Sequence, residues 1–198
     1  MARNTQPVLK RCRTLGVSPA VMGYSRTSNK NPGGQRRAKK SEYATQLTEK
    51  QKVKFVYGIQ EKQFHAYYEK ASKMAGNTGE ELLCMIERRL DNVVYRLGFA
   101  STRREARQLV NHGHFTVNGK RVNIPSYLVK TGDVVAVCEK SCSNAFFKKL
   151  KEDDVFASTP KWLDRDTNTL TGKVIAAPAR EDIDFEIAEH LIVELYSK

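Results

Sequence analysis

The stretch 87–124, ERRLDNVVYRLGFASTRREARQLVNHGHFTVNGKRVNI, constrains the fold more than any other part of the chain. It predicts a helix, a tight turn, a short basic helix and a β-hairpin. Apolar residues that recur at spacings of three and four, as on one buried helical face, are Leu82, Ile86, Leu90, Val93 and Leu97. We therefore expect one helix here, which starts at a capping box of Thr78 and Glu81 and ends at Gly98.

A second helix start follows at Ser101 and Thr102, with Glu105 three residues after Thr102. The cations on this helix are Arg103, Arg104 and Arg107. Their spacings of one and four place them on a common side, where the backbone donors of the helix N-terminus would also bind phosphate. Gly113 closes the helix. A short helix that is rich in Arg fits phosphate binding better than catalysis, and a merely solvated surface helix is the weaker alternative.

The next segments predict a small antiparallel sheet. Asn118-Gly119 lies between alternating apolar runs, which is a strong type I′ hairpin signal. Residues 134–137 predict a strand that joins this hairpin, residues 144–151 a short basic helix or linker, and residues 164–176 a second hairpin.

Charge is distributed unevenly along the chain, whose net charge is +12. Residues 1–44 carry ten Lys or Arg and one acid, residues 91–151 carry eleven and four, and residues 152–198 carry five and eleven. The segment between the two basic ones is nearly neutral. This pattern predicts a polyanion that is held in two places. No amphipathic helix with a bulky apolar face carries the basic clusters, so nucleic acid is favoured over a membrane surface.

The N-terminal 44 residues predict an extended, loop-rich arm, because Pro and Gly recur through them. A solvated, disordered tail is one interpretation. We favour an arm that becomes ordered on RNA, because cations without acids repel each other until a polyanion neutralises them. Tyr24 lies near Arg26 and Lys30, where it would either stack on a base or pack locally.

Residues 45–75 predict a helical hairpin or a kinked helix, with a capping box at Thr48 and Gln51 and a break near Gly58. Cations in this region alternate with acids, as on an ordinary solvated face. The tail 180–198 ends in an amphipathic helix, which we expect to dock on the helices of 45–90.

No pattern of a catalytic or metal site is present. The four cysteines are few and irregularly spaced, as in a reduced cytosolic protein, and no second Cys or His pair complements Cys138 and Cys142 as zinc ligands. No histidine lies in a motif with a nucleophile, and Gly33-Gly34 lacks the ending of a phosphate-binding loop. We expect no catalytic residue, metal, cofactor, transmembrane span or secretory signal.

Several of these motifs together carry a family resemblance. The run from Arg89 to Lys120 resembles the S-four (S4) RNA-binding domain, a compact αL-type module that also occurs in pseudouridine synthases and a tRNA synthetase. The stretches 49–58 and 76–80 and the ending HLIVELYSK extend the resemblance to the bacterial-type small-subunit ribosomal protein S4 family over essentially the whole chain. Many relatives carry four zinc ligands near the N-terminus. Only Cys12 is left here, so the chain resembles the zinc-free branch.

The resemblance implies an α+β fold in four parts. These are a basic N-terminal segment (1–44), a helical domain completed by the C-terminal helix (45–86 and 180–198), the S4 domain (87–151) and an acidic connector with a hairpin (152–179).

The resemblance also implies a function as a structural constituent of the small ribosomal subunit in the cytoplasm. Family members bind a helical junction in the 5′ domain of 16S rRNA and nucleate assembly of the subunit body. With neighbours of the S-five and S-twelve families they influence translational accuracy, and with neighbours of the S-three and S-five families they line the mRNA entry channel. Some repress their own mRNA. At the channel through which mRNA enters, the aligned cations are Arg36, Arg37, Lys39 and Lys40.

From charge, motif and resemblance together, we predict a set of RNA-binding residues. They are Arg3, Lys10, Arg11, Arg13, Tyr24, Arg26, Lys30, Arg36, Arg37, Lys39, Lys40, Lys52, Arg89, Ser101, Thr102, Arg103, Arg104, Arg107, Gln108, Asn111, His112 and Lys120. An RNA-modifying enzyme that carries the same module is a second hypothesis, but no segment outside 87–151 offers a catalytic domain. A small factor that rides stalled ribosomal particles is a third, and the helical layer argues against it.

Overall fold

A computed structural model describes residues 6–26, 41–152, 159–166 and 168–197. The chain divides into two compact units, unit 1 with Met1–Leu82 and Ile183–Lys198 and unit 2 with Leu83–Asp182. The described helices are α1 (Val8–Leu15), α2 (Glu42–Tyr57), α3 (Glu61–Ala71), α4 (Thr78–Glu87), α5 (Leu90–Arg96), α6 (Arg103–Asn111), α7 (Glu139–Cys142), α8 (Ala145–Glu152) and α9 (Glu189–Ser197). The strands are β1 (Phe115–Val117), β2 (Lys120–Arg121), β3 (Val134–Val137), β4 (Leu163–Asp166) and β5 (Thr171–Val174), and short 3-10 turns cover Pro19–Met22 and Arg180–Asp182.

In unit 1, the predicted break near Gly58 separates two helices, α2 and α3. Ser41 caps α2, since its hydroxyl accepts the Ala44 N–H at 3.3 Å, and Gly58 ends it with φ +63°. The predicted cap at Thr48 is wrong. Thr48 lies inside α2, about two turns after the cap at Ser41, and its hydroxyl donates to the Ala44 carbonyl at 2.7 Å.

The C-terminal helix packs on α2, as predicted. Gln46 is fully buried, and its amide donates to the Glu194 carboxylate of α9 at 3.0 Å. The Ala188 N–H just before α9 donates to Glu49 at 3.3 Å. These polar contacts fix the position of α9 along α2.

Glu61, the first residue of α3, joins three elements of unit 1. Its carboxylate accepts from Lys50 at 2.9 Å, from Lys54 at 2.5 Å and from the Tyr196 hydroxyl at 2.7 Å. Partial burial alone would raise the pKa of Glu61. The hydrogen bonds from Lys54, Lys50 and Tyr196 outweigh that effect and lower the pKa to about 2. Burial and the Glu61 carboxylate raise the pKa of Tyr196 above its ordinary value.

Unit 2 is built on an antiparallel sheet with strand order β2-β1-β3-β5-β4. The predicted type I′ hairpin is confirmed, because Asn118 and Gly119 have φ +49° and +76° and Val117 pairs with Lys120. The second hairpin, β4–β5, is also present. The sequence prediction had separated it from 87–151 as a connector, whereas here β5 pairs with β3 and extends the same sheet.

The core of unit 2 lies between this sheet and helices α5, α6 and α8, with Phe99, Phe115 and Phe147 fully buried. Close packing reaches the sheet backbone at Gly172, where an added Cβ would lie 2.4 Å from the side chain of Leu97. Only glycine lets Leu97 approach this strand.

The single helix predicted through Leu82–Leu97 is wrong, because α4 ends at Glu87 and α5 begins at Leu90. Arg89 is extended there, with φ −65° and ψ 138°. The cause is a pairing with a distant segment: the Val129 N–H donates to the Arg88 carbonyl at 3.0 Å, and the Leu90 N–H donates to the Tyr127 carbonyl at 2.8 Å.

The cap at the start of α4 also differs by one residue from the prediction. Asn77 is the cap, since its side-chain oxygen accepts the Gly79 N–H at 3.1 Å and its amide donates to Glu80 at 3.0 Å. Thr78 is the first residue of the helix. Within the described part of the chain, no helix is long and apolar enough to cross a bilayer.

The Glu61 cluster predicts an acid-sensitive stability of unit 1. Because the folded pKa of about 2 is below the ordinary 4.5, the cluster stabilises the fold fully above pH 4.5 and loses that contribution as the pH falls towards 2. Thermal unfolding by circular dichroism at pH 7, 4 and 2.5 should show that Glu61→Gln lowers the Tm at pH 7 and that the difference from the native chain shrinks with acid. Glu186→Gln, at an exposed position of unit 1, is the control. A difference for Glu61→Gln that stays constant across this range would contradict the account.

Candidate nucleic-acid interface

Helix α6 begins with the predicted capping box. The Thr102 hydroxyl accepts the Glu105 N–H at 3.2 Å, while the N–H and hydroxyl of Ser101 donate to the Glu105 carboxylate at 2.8 and 2.6 Å. The side chains of Ser101 and Thr102 are therefore used by the cap. The Glu105 carboxylate occupies the position at the helix N-terminus that the sequence analysis gave to a phosphate.

Two of the α6 arginines point into unit 2. Arg103 is only 6% exposed, donates from Nε to the Asn92 oxygen at 2.8 Å, and lies over the Tyr95 ring with its guanidinium carbon 4.4 Å from the centroid. Arg107 donates from Nε and Nη2 to one Asp91 oxygen at 2.8 and 2.6 Å. Both side chains join α6 to the first turn of α5.

The same carboxylates bind further arginines. Arg89 is buried and forms a bidentate pair with Asp91 at 3.1 and 2.9 Å. Glu87, which is 1% exposed, accepts from the Asn92 amide at 2.6 Å and from Arg96 Nη2 at 2.8 Å. We call this connected set the arginine–carboxylate network. Its members are Glu87, Arg89, Asp91, Asn92, Arg96, Arg103 and Arg107.

The prediction that Arg103, Arg104 and Arg107 share one side is wrong. Arg103 and Arg107 are four residues apart and both face α5, whereas Arg104 is turned away and exposed. The reason is that α6 packs on α5, where Asp91 and Asn92 are the partners of the inner pair. Arg89, which we also predicted to bind RNA, is likewise held inside the network. Contact of Arg89, Arg103 and Arg107 with RNA stays a prediction. Arg107 has 21% of its side chain exposed.

The outward side of α6 carries Arg104, Gln108 and His112 at spacings of four, all exposed. The hairpin continues this side, because Arg121 donates from Nε to the Gly113 carbonyl at 2.8 Å and from Nη2 to the His112 carbonyl at 3.0 Å. Gly113 permits this approach, since it has φ +71° and an added Cβ would lie 2.4 Å from Arg121 Nε.

We call the exposed residues at this place the α6–hairpin surface, and its members are Arg104, Gln108, His112, Lys120 and Arg121. Arg121 was not among the predicted RNA-binding residues. Its position opposite Thr116, in the strand that follows the type I′ turn, is the signal that would have placed it beside the end of α6. Asn111, also predicted, is half-buried on the helix flank.

His114 lies beside the α6–hairpin surface, with its ring centroid 6.0 Å from that of His112. Its ring nitrogen Nδ1 lies 2.9 Å from the Ser141 hydroxyl. Burial lowers the pKa of His114, and the positive charges of His112 and Arg121 lower it further. The cations Arg104, Lys120 and Arg121 are exposed at this end of the unit, as an anion-binding surface requires.

The predicted residues of unit 1 differ in exposure. Lys10, Arg13 and Arg26 are exposed, and Arg11 and Tyr24 are half-buried. The Lys52 ammonium is bound to Glu49 at 2.6 Å. Residues that lie outside the described part of the chain are Arg3, Lys30, Arg36, Arg37, Lys39 and Lys40. In the described ranges, no three His, Cys, Asp or Glu side chains are grouped so that they could hold a metal ion.

Comparison with known proteins matches both parts of the chain. A family model described as the S4 domain matches residues 88–135, and one described as the ribosomal protein S4/S9 N-terminal domain matches residues 3–87. Proteins named small ribosomal subunit protein uS4 are 52% identical in Fusobacterium nucleatum, 63% in Caldicellulosiruptor bescii and 53% in Clostridioides difficile. Each match covers 100% of this chain and 100% of the relative.

The network predicts a large effect of Glu87→Gln on the stability of unit 2. The change leaves Arg96 buried without its counter-charge, and breaking a buried pair from one side costs about 3–5 kcal/mol. The measurement is urea unfolding followed by the fluorescence of Trp162, the single tryptophan, which is 2% exposed in unit 2. Asp164→Asn, an exposed site in β4, is the control and should shift the midpoint little. Equal, small shifts for both variants would show that the network does not hold unit 2 together.

Proposed function

Because the chain belongs to the small-subunit ribosomal protein S4 family, we propose that the α6–hairpin surface of unit 2 is its principal contact with small-subunit rRNA. As a member of this family, the protein is a structural, non-enzymatic component of the small subunit of the cytoplasmic ribosome.

The observation that carries this proposal is the division of arginines on α6. Arg103 donates to Asn92 and Arg107 donates to Asp91, so both fix the position of the helix. Arg104, on the opposite side, is exposed to solvent. Phosphate contacts need cations on a rigid scaffold, because each flexible cation loses side-chain entropy when it binds. Helix α6, which the arginine–carboxylate network holds in place, is such a scaffold.

Charge and hydrogen-bonding chemistry support the same surface. Arg104, Lys120 and Arg121 supply cations, while Gln108 and His112 add polar groups that can bond to phosphate, ribose or base edges. The one acid on α6, Glu105, is engaged by Ser101 at the helix start. The surface therefore presents donors to a polyanion with little competition from carboxylates.

The finer roles rest on the family resemblance. We propose that the RNA is a helical junction in the 5′ domain of 16S rRNA, where the protein nucleates assembly of the subunit body. The exposed Lys10, Arg13 and Arg26 are candidates for a second contact with the same RNA. Arg36, Arg37, Lys39 and Lys40 would act on mRNA where it enters the subunit. Neighbours of the S-five, S-three and S-twelve families, a part in translational accuracy and repression of its own mRNA belong to the same proposal.

The double change Arg104→Ala with Lys120→Ala tests the assignment. It removes two exposed cations without touching the network, so the fold should be unchanged and the affinity for a 5′-domain fragment of 16S rRNA should fall. If both contact phosphates in a duplex region, the slope of log affinity against log salt should become shallower by about 1.8, at about 0.9 per contact. Filter binding from 50 to 300 mM salt measures both quantities.

Lys173→Ala is the matched control, because Lys173 is an exposed cation on β5 that lies opposite Asp164 in the sheet register. Its removal should leave the salt slope within error of the native value. The assignment fails if the double variant binds with native affinity and slope, or if the Lys173→Ala variant loses as much.

A further inference from the structure

Two exposed apolar residues belong to one turn beside the network. Ile124 is 55% exposed and Tyr127 is 36% exposed, and both belong to the loop 122–128 that follows β2. Large apolar side chains exposed close together indicate an interaction site more strongly than scattered ones.

This loop is held firmly on the first turn of α5. The Leu90 N–H donates to the Tyr127 carbonyl at 2.8 Å, and the Asp91 N–H donates to the Pro125 carbonyl at 3.2 Å. Within the loop, the Tyr127 N–H donates to the Ile124 carbonyl at 3.1 Å. The loop thus pairs with the chain at the break between α4 and α5. These hydrogen bonds fix the backbone that carries the two apolar side chains.

Asp91 connects the loop to the cations of the network. Its N–H bonds to the loop, and its carboxylate binds the guanidinium of Arg107, which is itself partly open to solvent. Asp91 is therefore the one residue that links the loop to Arg107 in space. The flanking exposed cations are Lys120, Arg121 and Lys130, and no acidic residue occurs between Gly119 and Gly132.

An aromatic side chain on a rigid loop that is flanked by cations matches single-stranded RNA. Unpaired bases stack on aromatic rings while neighbouring cations bind their phosphates. Tyrosine suits this contact because its ring is large and loses little rotamer freedom on binding. An apolar patch for a protein partner would need no such excess of positive charge around it.

We propose that the loop 122–128 is a second RNA-binding element of unit 2, in which Tyr127 stacks on an unpaired base and Ile124 packs against the same nucleotide. The inference rests on the proposed function, since it takes the RNA partner from there and adds the contact with a base. The α6–hairpin surface binds phosphates, and the loop selects a place on the RNA where a base is unstacked.

The test compares the full chain with its Tyr127→Ala and Tyr127→Phe variants on the 5′-domain fragment of 16S rRNA. Loss of one stacked base corresponds to a loss of affinity of about 5- to 150-fold for Tyr127→Ala. The Phe variant keeps the ring and should bind within about twofold of the native chain. The salt slope should stay native in both, because no phosphate contact is removed.

A spectroscopic readout separates stacking from a structural effect. In Tyr127→Trp, the added indole should be quenched when the RNA fragment binds, whereas Trp162 of the native chain is buried and should change little. Ile175→Ala is the control for apolar surface, because Ile175 in unit 2 is also 55% exposed, and it should bind RNA normally.

Native affinity for Tyr127→Ala, with no RNA-dependent quenching in Tyr127→Trp, would overturn the inference and leave a protein partner as the occupant of the loop. That failure is distinct from failure of the proposed function. In the first case the Arg104→Ala, Lys120→Ala chain still binds RNA more weakly than the native chain, and in the second it does not.

Discussion

The buried pairing of arginines with Glu87 and Asp91 is the interaction on which unit 2 depends. Burying a charge is costly unless it is paired and hydrogen-bonded, and here each carboxylate has at least two partners. Such a network adds less net stability than apolar packing would, but it accepts only one arrangement of its members. It therefore fixes how α6 lies on α5, and with it the direction in which the outer side of α6 faces.

This network places neighbouring arginines in different environments. Arg103 and Arg104 are adjacent in sequence, yet one is buried over Tyr95 and the other is exposed. Asp91 has a similar double part, because its carboxylate holds Arg107 and its N–H holds the loop 122–128. A single helix turn thus positions both the phosphate-binding surface and the proposed stacking residue. Rigid placement of this kind lets a small unit bind folded RNA without reordering itself.

Local signals predicted part of the local structure correctly, although the capping boxes at Thr48 and Thr78 were wrong. The cap at Thr102, the left-handed Gly98 and the Asn118-Gly119 turn depend on interactions within a few residues, and the structure confirms each. The break between α4 and α5 was missed because its cause, the pairing of Arg88 with Val129, is remote in sequence. The inward arginines were missed for the same reason. Arg107 finds Asp91 across sixteen positions, and a count of nearby charges cannot show which cations are already neutralised inside the fold.

Arginine labelling in the presence and absence of RNA tests the inside–outside division most directly. A dicarbonyl reagent is applied to the full chain, and tandem mass spectrometry separates modification at Arg103 from modification at Arg104. The account predicts that Arg104 reacts in the free protein and is protected by the 5′-domain rRNA fragment, while Arg103 and Arg89 react in neither state. Reaction of Arg103 in the free protein, with protection by RNA as strong as that of Arg104, would contradict it.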